Sequence, residues 1–310
     1  MWQRAVPGLL GVGAASGFFW TLRKDVPPKR TSQDVEAGLR YIRDWNSSQR
    51  RVSHAAVCIR DARAMTEPFS LVKQGMQIVP FATDLNSDIF FEGSDEVGTK
   101  YYAQVCSIVQ EATGADHVAA FHHKVRHQRT SAGLPDVFDR SYDYRVHCDY
   151  TPDSAKEVLE WQLRVAGFTE EEAKLYHEGR FQLINAWRNL SMHPVQNDHL
   201  AICDAGTVCE DHLLMNGVFQ RTGHSEPLTS VNFADRVFGP TARFEVSQQH
   251  SWFYFPALRE NELLLFKCFD SEPTAAARYA LHSAFRVAGE STRPRESVEV
   301  RTIALFKKKK

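Results

Sequence analysis

The segment Tyr144-Arg-Val-His147-Cys-Asp149-Tyr150 sets an imidazole and a carboxylate two residues apart. In a β-strand alternate side chains share a face, about 6.5 Å apart, so His147 and Asp149 would project together. Two imidazoles and one carboxylate bind Fe(II) on one face of an octahedron and leave three positions open for a chelating co-substrate and dioxygen. His147 and Asp149 supply two-thirds of that set. With thirteen histidines in the chain the pair alone is weak, and a surface pair on a strand is the plain alternative.

Three later segments follow in the order a double-stranded β-helix oxygenase requires: Asn261-Glu-Leu-Leu-Leu-Phe-Lys267, Leu281-His282-Ser-Ala-Phe285 and Arg295-Glu-Ser297-Val-Glu-Val-Arg301. His282, inside an apolar run, is the expected third ligand. Arg295 and Ser297 put a guanidinium and a hydroxyl on one strand face, suited to clamping the distal carboxylate of 2-oxoglutarate by a charge-assisted contact. Arg301 shares that face, but six residues of strand separate it from Arg295 by about 20 Å, so both cannot hold one small acid. His250 opens an aromatic strand and is the rival ligand. Without an Arg-x-Ser at a fitting distance downstream, it reads instead, with Trp252, as pocket wall or packed core. His224-Ser-Glu226 lies between Gly223 and Pro227 and reads as a turn. Asn185 and Trp187 face one side of a strand and Arg188 the other. They are core packing or, alternatively, a wall in which Trp187 meets the substrate and Asn185 or Arg188 reaches the co-substrate. The basic stretch holding His122, His123 and His127 reads as a solvated loop, and the polar connection from Arg126 to Arg140 as a lid leading into the His147 strand.

These residues need a β framework. Runs rich in Phe, Val, Ile and Leu between turn residues predict strands at His54 to Ile59, Gly75 to Pro80, His117 to Phe121, Tyr144 to Tyr150, Phe181 to Trp187 and Leu200 to Asp204. Others are expected at Phe244 to Val246, Trp252 to Phe255, Leu263 to Phe269, Arg278 to Phe285 and Ser297 to Phe306. Helical spacing predicts helices from Thr31 to about Trp45 and from Ser94 to Gly114, and a helical hairpin over 153–179 broken at Gly167 and restarted by the capping box Thr169-x-x-Glu172. The expected class is α+β, mainly β: a double-stranded β-helix (jelly roll, cupin-like) core with supporting helices. No repeat or linker divides the chain, so one domain is expected over 1–310. N-terminal strands and supporting helices occupy 1–115, the jelly-roll core with its helical insertion 116–306, and a lysine tail 307–310.

Composition narrows the function. The chain has 310 residues, 43% hydrophobic and 24% charged, with 37 basic against 38 acidic side chains. That balance gives no basic field for nucleic acid. Six cysteines without a Cys-x-x-Cys pair predict free thiols in a reducing compartment. Within the apolar stretch from Ala5 to Leu22, interrupted by Pro7 and glycines, a buried strand near Ala14 to Leu22 is expected in preference to a mitochondrial presequence or a membrane anchor, so a cytoplasmic protein with no membrane partner is expected. No glycine fingerprint for a nicotinamide cofactor and no Gly-x-Ser-x-Gly elbow is present.

At the level of longer motifs the sequence resembles the fungal and bacterial hydroxylase/desaturase group typified by CmcJ-like cephem methoxylase-related proteins, AsaB-like enzymes and gibberellin desaturases. The segments that carry the resemblance span most of the chain: the Tyr-Tyr and Thr-Gly-Ala of the helix ending at Gly114, His147-Cys-Asp149-Tyr-Thr, Gly179-Arg-Phe-Gln-Leu-Ile-Asn185-Ala-Trp187-Arg188, Leu200-Ala-Ile-Cys-Asp204, His250-Ser-Trp252-Phe-Tyr-Phe-Pro256, Glu262 to Ser271, His282-Ser-Ala-Phe285 and Pro294 to Arg301. Asn189, and the stretch from Arg286 to Glu290, depart from the group's pattern and leave His147, Asp149 and His282 intact. The resemblance implies an Fe(II)- and 2-oxoglutarate-dependent oxygenase of secondary metabolism that uses dioxygen to hydroxylate, desaturate or cyclise a small molecule, with His147, Asp149 and His282 on iron. Two alternatives stand beside it: a metal-dependent jelly-roll enzyme that does not use 2-oxoglutarate, and a non-catalytic jelly-roll binding protein.

Overall fold

The computed structural model describes residues 33–44, 51–127, 142–214, 240–287, 289 and 293–308. The expected N-terminal strand near Ala14, the His224-Ser-Glu226 turn and most of the 126–140 connection lie outside the described residues.

Two five-stranded sheets carry the fold. One has the order β1 (Val35–Asp44), β2 (Arg51–Asp61), β9 (Trp252–Tyr254), β6 (His199–Cys203), β11 (His282–Phe285). The other runs β3 (Met76–Pro80), β10 (Glu262–Asp270), β5 (Phe181–Asn189), β12 (Ser297–Leu305), β4 (His117–Arg126). A ribbon of β7 (Leu213–Leu214) and β8 (Thr241–Ala242) completes the strands. The jelly-roll expectation holds. Strands β1 to β3, from the first third of the chain, are members of the same two sheets rather than an appendage.

The inner faces of the sheets meet in one core. Leu39 and Tyr41 of β1, Trp187 of β5, Phe266 of β10 and Ile303 of β12 are buried there. Residues of opposite parity on the second sheet, including Ile184, Leu265, Val298 and Val300, point outward and are covered by α2 (Tyr102–Thr113) through Val105 and Val109. Burial on both faces explains why β5 reads as an unbroken apolar run.

The segment predicted as a helix from Thr31 to Trp45 is instead β1, a correction with a clear cause. Val35, Leu39 and Ile42 match a helical period, but Val35, Ala37, Leu39 and Tyr41 match period two equally well. Antiparallel pairing with β2, from Val35 opposite Ile59 to Ile42 opposite Val52, decides for the strand. Phe244 to Val246, predicted as a strand, lies in a 3-10 helix at Phe244–Gln249. The helical hairpin is present as α3 (Pro152–Val165) and α4 (Glu170–His177), after the short α1 (Ile89–Glu92) and α2. Gly167 is left-handed at φ 70°, and the Thr169/Glu172 capping box forms as expected. Gly179, where α4 hands over to β5, passes so close to the Phe306 carbonyl that there is no room for a Cβ. The six cysteines are free. No helix among the described residues is long and apolar enough to cross a membrane.

Candidate metal centre

The Tyr144 to Tyr150 segment forms no regular strand; it is a connector held by single bridges. Val146 N–H donates to the Arg40 carbonyl at 2.9 Å, which fastens it to β1. His147 exchanges two backbone hydrogen bonds with His282 of β11, at 3.1 and 2.8 Å. Since β1 and β11 are the outer strands of the first sheet, this segment nearly closes that sheet into a barrel. The same bridge places the His147 and His282 rings 4.3 Å apart, centroid to centroid.

Both rings are oriented by backbone. The Nδ1 of His147 lies 2.7 Å from the Arg145 carbonyl, and the Nδ1 of His282 lies 3.2 Å from the Ala280 carbonyl. A carbonyl only accepts, so each Nδ1 carries the hydrogen and each Nε2 keeps a lone pair. Those two Nε2 atoms stand 3.8 and 4.0 Å from Asp149 Oδ1. The three ligand atoms converge within 4.8 Å of one another, with Asp149 and His282 buried and His147 half-buried. Two neutral imidazole nitrogens and a carboxylate oxygen on one side of a point are a fit for a divalent iron-type ion.

The other carboxylate oxygen faces away. Asp149 Oδ2 accepts from Asn185 Nδ2 at 2.7 Å and lies 3.3 Å from Arg301 Nε and 3.9 Å from the Cys268 thiol. Burial by itself would push the Asp149 carboxyl up, but Arg301, His282 and His147 outweigh it and hold it below the usual carboxylate range. Burial, then the neighbouring His147, push His282 down to about 3. Glu299, buried beside Arg301, is raised by burial and then by the Asp149 charge.

The remaining residues singled out in the sequence divide. Arg295 is buried at 5% exposure, with its guanidinium 4.3 Å from the Tyr142 ring centroid and 5.4 Å from that of Trp187. One Nη1 hydrogen goes to the Asp198 carbonyl, while Nε and the Ser297 hydroxyl are buried and have no hydrogen-bond partner among the described residues. Arg188 does not join this group. It projects from the opposite face of β5, with Nε donating to the Glu260 carbonyl at 2.8 Å and its guanidinium over Phe81 and Tyr101. His250 is engaged at both ring nitrogens, by Tyr41 at 3.0 Å and His212 at 3.3 Å, and Trp252 donates to the same Tyr41 hydroxyl. These aromatic residues form a cluster of their own.

Neither the place of Arg301 beside Asp149 nor that of Glu299 is legible in the local sequence. Their signal was the alternation Ser297, Glu299, Arg301 on β12, but the partner register, Arg301 opposite Asn185 and Glu299 opposite Trp187, is set only by the folded sheet. On the far side of β12, β4 sets His122 opposite Arg301.

Fold and donors together define a jelly-roll protein with a 2-His-1-carboxylate constellation in its barrel. The family model described as "Oxidoreductase/YMDC permease-like domain" matches residues 26–305, and the chain belongs to that family. Among curated relatives, an alpha-ketoglutarate-dependent dioxygenase, tstK, of Talaromyces stipitatus is 31% identical, covering 81% of this chain and 85% of its own. The hydroxylase/desaturase efuI of Hormonema carpetanum is 28% identical over 88% of this chain and 91% of its own. A solved structure of the iron and alpha-ketoglutarate-dependent endoperoxidase NvfI superposes with a TM-score of 0.70 at 23% identity, covering 89% of this chain and 99% of that one, and so shares the fold.

Proposed function

We propose that the protein is an Fe(II)- and 2-oxoglutarate-dependent oxygenase acting on a C–H bond of a small molecule of secondary metabolism, with His147, Asp149 and His282 holding the iron. The observation that carries this reading is the convergence of three lone-pair donors whose other atoms are already committed: two Nδ1 hydrogens to backbone carbonyls, one Oδ2 to Asn185. Such tethering fixes tautomer and ring orientation, as outer contacts do for metal ligands, and supports reading the three as a coordinating set. The names of the relatives support iron and 2-oxoglutarate as the cofactor pair.

Iron held by His147, Asp149 and His282, together with 2-oxoglutarate, would supply dioxygen activation and hydrogen abstraction. The chain's own share is binding, orientation and exclusion of water. Arg295 Nε and the Ser297 hydroxyl are buried donors still owed an acceptor, and a carboxylate is the acceptor that suits a guanidinium and a hydroxyl. That supports Arg295 and Ser297 as the anchor for the distal end of 2-oxoglutarate, with Trp187 closing the wall beside it. The choice between hydroxylation, desaturation and ring closure turns on how the substrate lies against that wall.

Anaerobic titration of metal-free protein with Fe(II), then 2-oxoglutarate, tests the reading. A weak visible charge-transfer band is expected in the wild type and not in His147→Ala or His282→Ala. Iron binding without the band would favour a jelly-roll metalloenzyme that does not use 2-oxoglutarate. No iron binding would leave a binding protein.

A further inference from the structure

We propose that Asn185 and Arg301 are positioning residues that restrict Asp149 to one-oxygen ligation and so keep open a coordination position its second oxygen would otherwise take. This inference rests on the iron reading above. Asp149 Oδ1 is the oxygen that faces the two histidines, at 3.8 and 4.0 Å from their Nε2 atoms. Oδ2 is held on the other side by a hydrogen bond from the Asn185 amide at 2.7 Å, and Arg301 Nε faces it at 3.3 Å as an ion pair without hydrogen-bond geometry.

The restraint is itself braced. Asn185 and Arg301 are directly paired across β5 and β12, so their side chains rise from one face of the sheet. The second hydrogen of the Asn185 amide goes to Glu299 Oε1 at 3.1 Å, which also lies 3.9 Å from Arg301 Nε. One amide therefore bridges two carboxylates. Flipping it would turn its oxygen, which has no partner among the described residues, onto the Asp149 carboxylate and forfeit both donated bonds. Asn185 is fully buried and Glu299 is 6% exposed, so no water is at hand to replace either bond.

The consequence is arithmetic. Three protein donor atoms leave three of six positions, two for a chelating 2-oxo acid and one for dioxygen. A carboxylate bound through both oxygens would leave two. Asn185 is the informative residue because it carries no charge: replacing it frees Oδ2 while the Arg301 counter-charge remains.

The test uses full-length protein loaded anaerobically with Co(II) and, in parallel, Fe(II), then titrated with 2-oxoglutarate. In Asn185→Leu the Co(II) dissociation constant should change much less than that for 2-oxoglutarate, which should rise about tenfold or more as Asp149 Oδ2 competes for a position the chelating acid needs. The Co(II) visible spectrum should change before 2-oxoglutarate is added. Arg301→Lys, which keeps charge and a donor, should fall between the two. If Asn185→Leu does not fold by circular dichroism, Asn185→Ala is measured in its place. Unchanged 2-oxoglutarate affinity, or metal and 2-oxoglutarate weakened together, would overturn the proposal. A wild type that bound neither would instead overturn the iron reading on which it stands.

Discussion

Lys267 and Asp270 form an ion pair inside the protein, Nζ to Oδ2 at 2.7 Å, with both side chains at most 2% exposed. The pair brackets a β-bulge. Lys267 lies opposite Ile184 and Phe269 opposite Leu183, so Cys268 is the extra residue, and its thiol reaches Asp149. Asp270 also accepts from Arg180 and Gln182. Burial would raise the Asp270 carboxyl, but Arg180 and Lys267 hold it below the usual range. Asp270→Asn would strand a buried ammonium and should destabilise the fold by about 3–5 kcal/mol. Lys267→Met leaves Asp270 with Arg180 and Gln182 and should cost less. Urea unfolding of both variants checks the order; equal losses would remove Asp270 as the hub.

The metal-free protein should be acid-sensitive well above the carboxylate range. His122, His250 and His282 are each pushed down to about 3 by burial, with further contributions first from Arg301, His212 and His147 respectively. Between pH 6.5 and 3 the unfolded chain binds protons at these sites and the folded chain does not. Their contribution to stability is therefore complete above 6.5 and is lost as pH falls toward 3. Each group removes at most about 1.4 kcal/mol per pH unit, and three together about 4. Against a total stability of about 5–15 kcal/mol, unfolding should set in around pH 5. Denaturant midpoints at pH 7.5, 6 and 5 measure it, and His250→Gln should reduce the slope by roughly a third. A flat profile from 7 to 5 would rule the mechanism out.

How far the sequence could be read depended on the range of the contact. The His147/Asp149 pair is local, two residues apart, and strand alternation was enough to suggest a shared direction even though the segment is a bridged connector and not a regular strand. His282 was recoverable from the order of segments. The Asp149 support was not: Asn185, Arg301 and Cys268 come from three strands, and their meeting depends on a register and a bulge that no local pattern specifies. Strand β1 failed for a different reason, since Val35, Leu39 and Ile42 fit a helical period, Val35, Ala37, Leu39 and Tyr41 fit period two, and only β2 discriminates between them.

Arg188 shows what one residue of strand parity decides. Its neighbour Trp187 faces the barrel, while Arg188 is packed against Phe81 and Tyr101 on the outer side of β5. Arg188→Met should therefore lower stability by about 1–3 kcal/mol through the lost cation–π contact and the bond to the Glu260 carbonyl. The 2-oxoglutarate dissociation constant should be unchanged. Thermal melts and anaerobic titration of one preparation give both numbers; a weakened co-substrate in a stable variant would return Arg188 to the site.

Arg295 makes the opposite pattern. Burial among Tyr142 and Trp187 pushes its guanidinium down to about 10, so it stays charged at neutral pH. Its Nη1 is spent on the Asp198 carbonyl, which fixes the plane of the fork and leaves Nε, with the Ser297 hydroxyl, for a ligand. Arg295→Lys keeps the charge but loses the second donor direction. A charge-assisted bond of about 1.5–3 kcal/mol corresponds to a rise of roughly 10- to 150-fold in the 2-oxoglutarate dissociation constant. Metal affinity should be unaffected, because the contacts of Arg295 run to Asp198, Tyr142 and Trp187. Ser297→Ala removes a neutral donor and should weaken 2-oxoglutarate by about tenfold or less. The two titrations, read with Fe(II) held constant, separate an anchor for the distal carboxylate from a residue that only fills the wall: a wall residue would move the melting temperature and leave 2-oxoglutarate binding where it was.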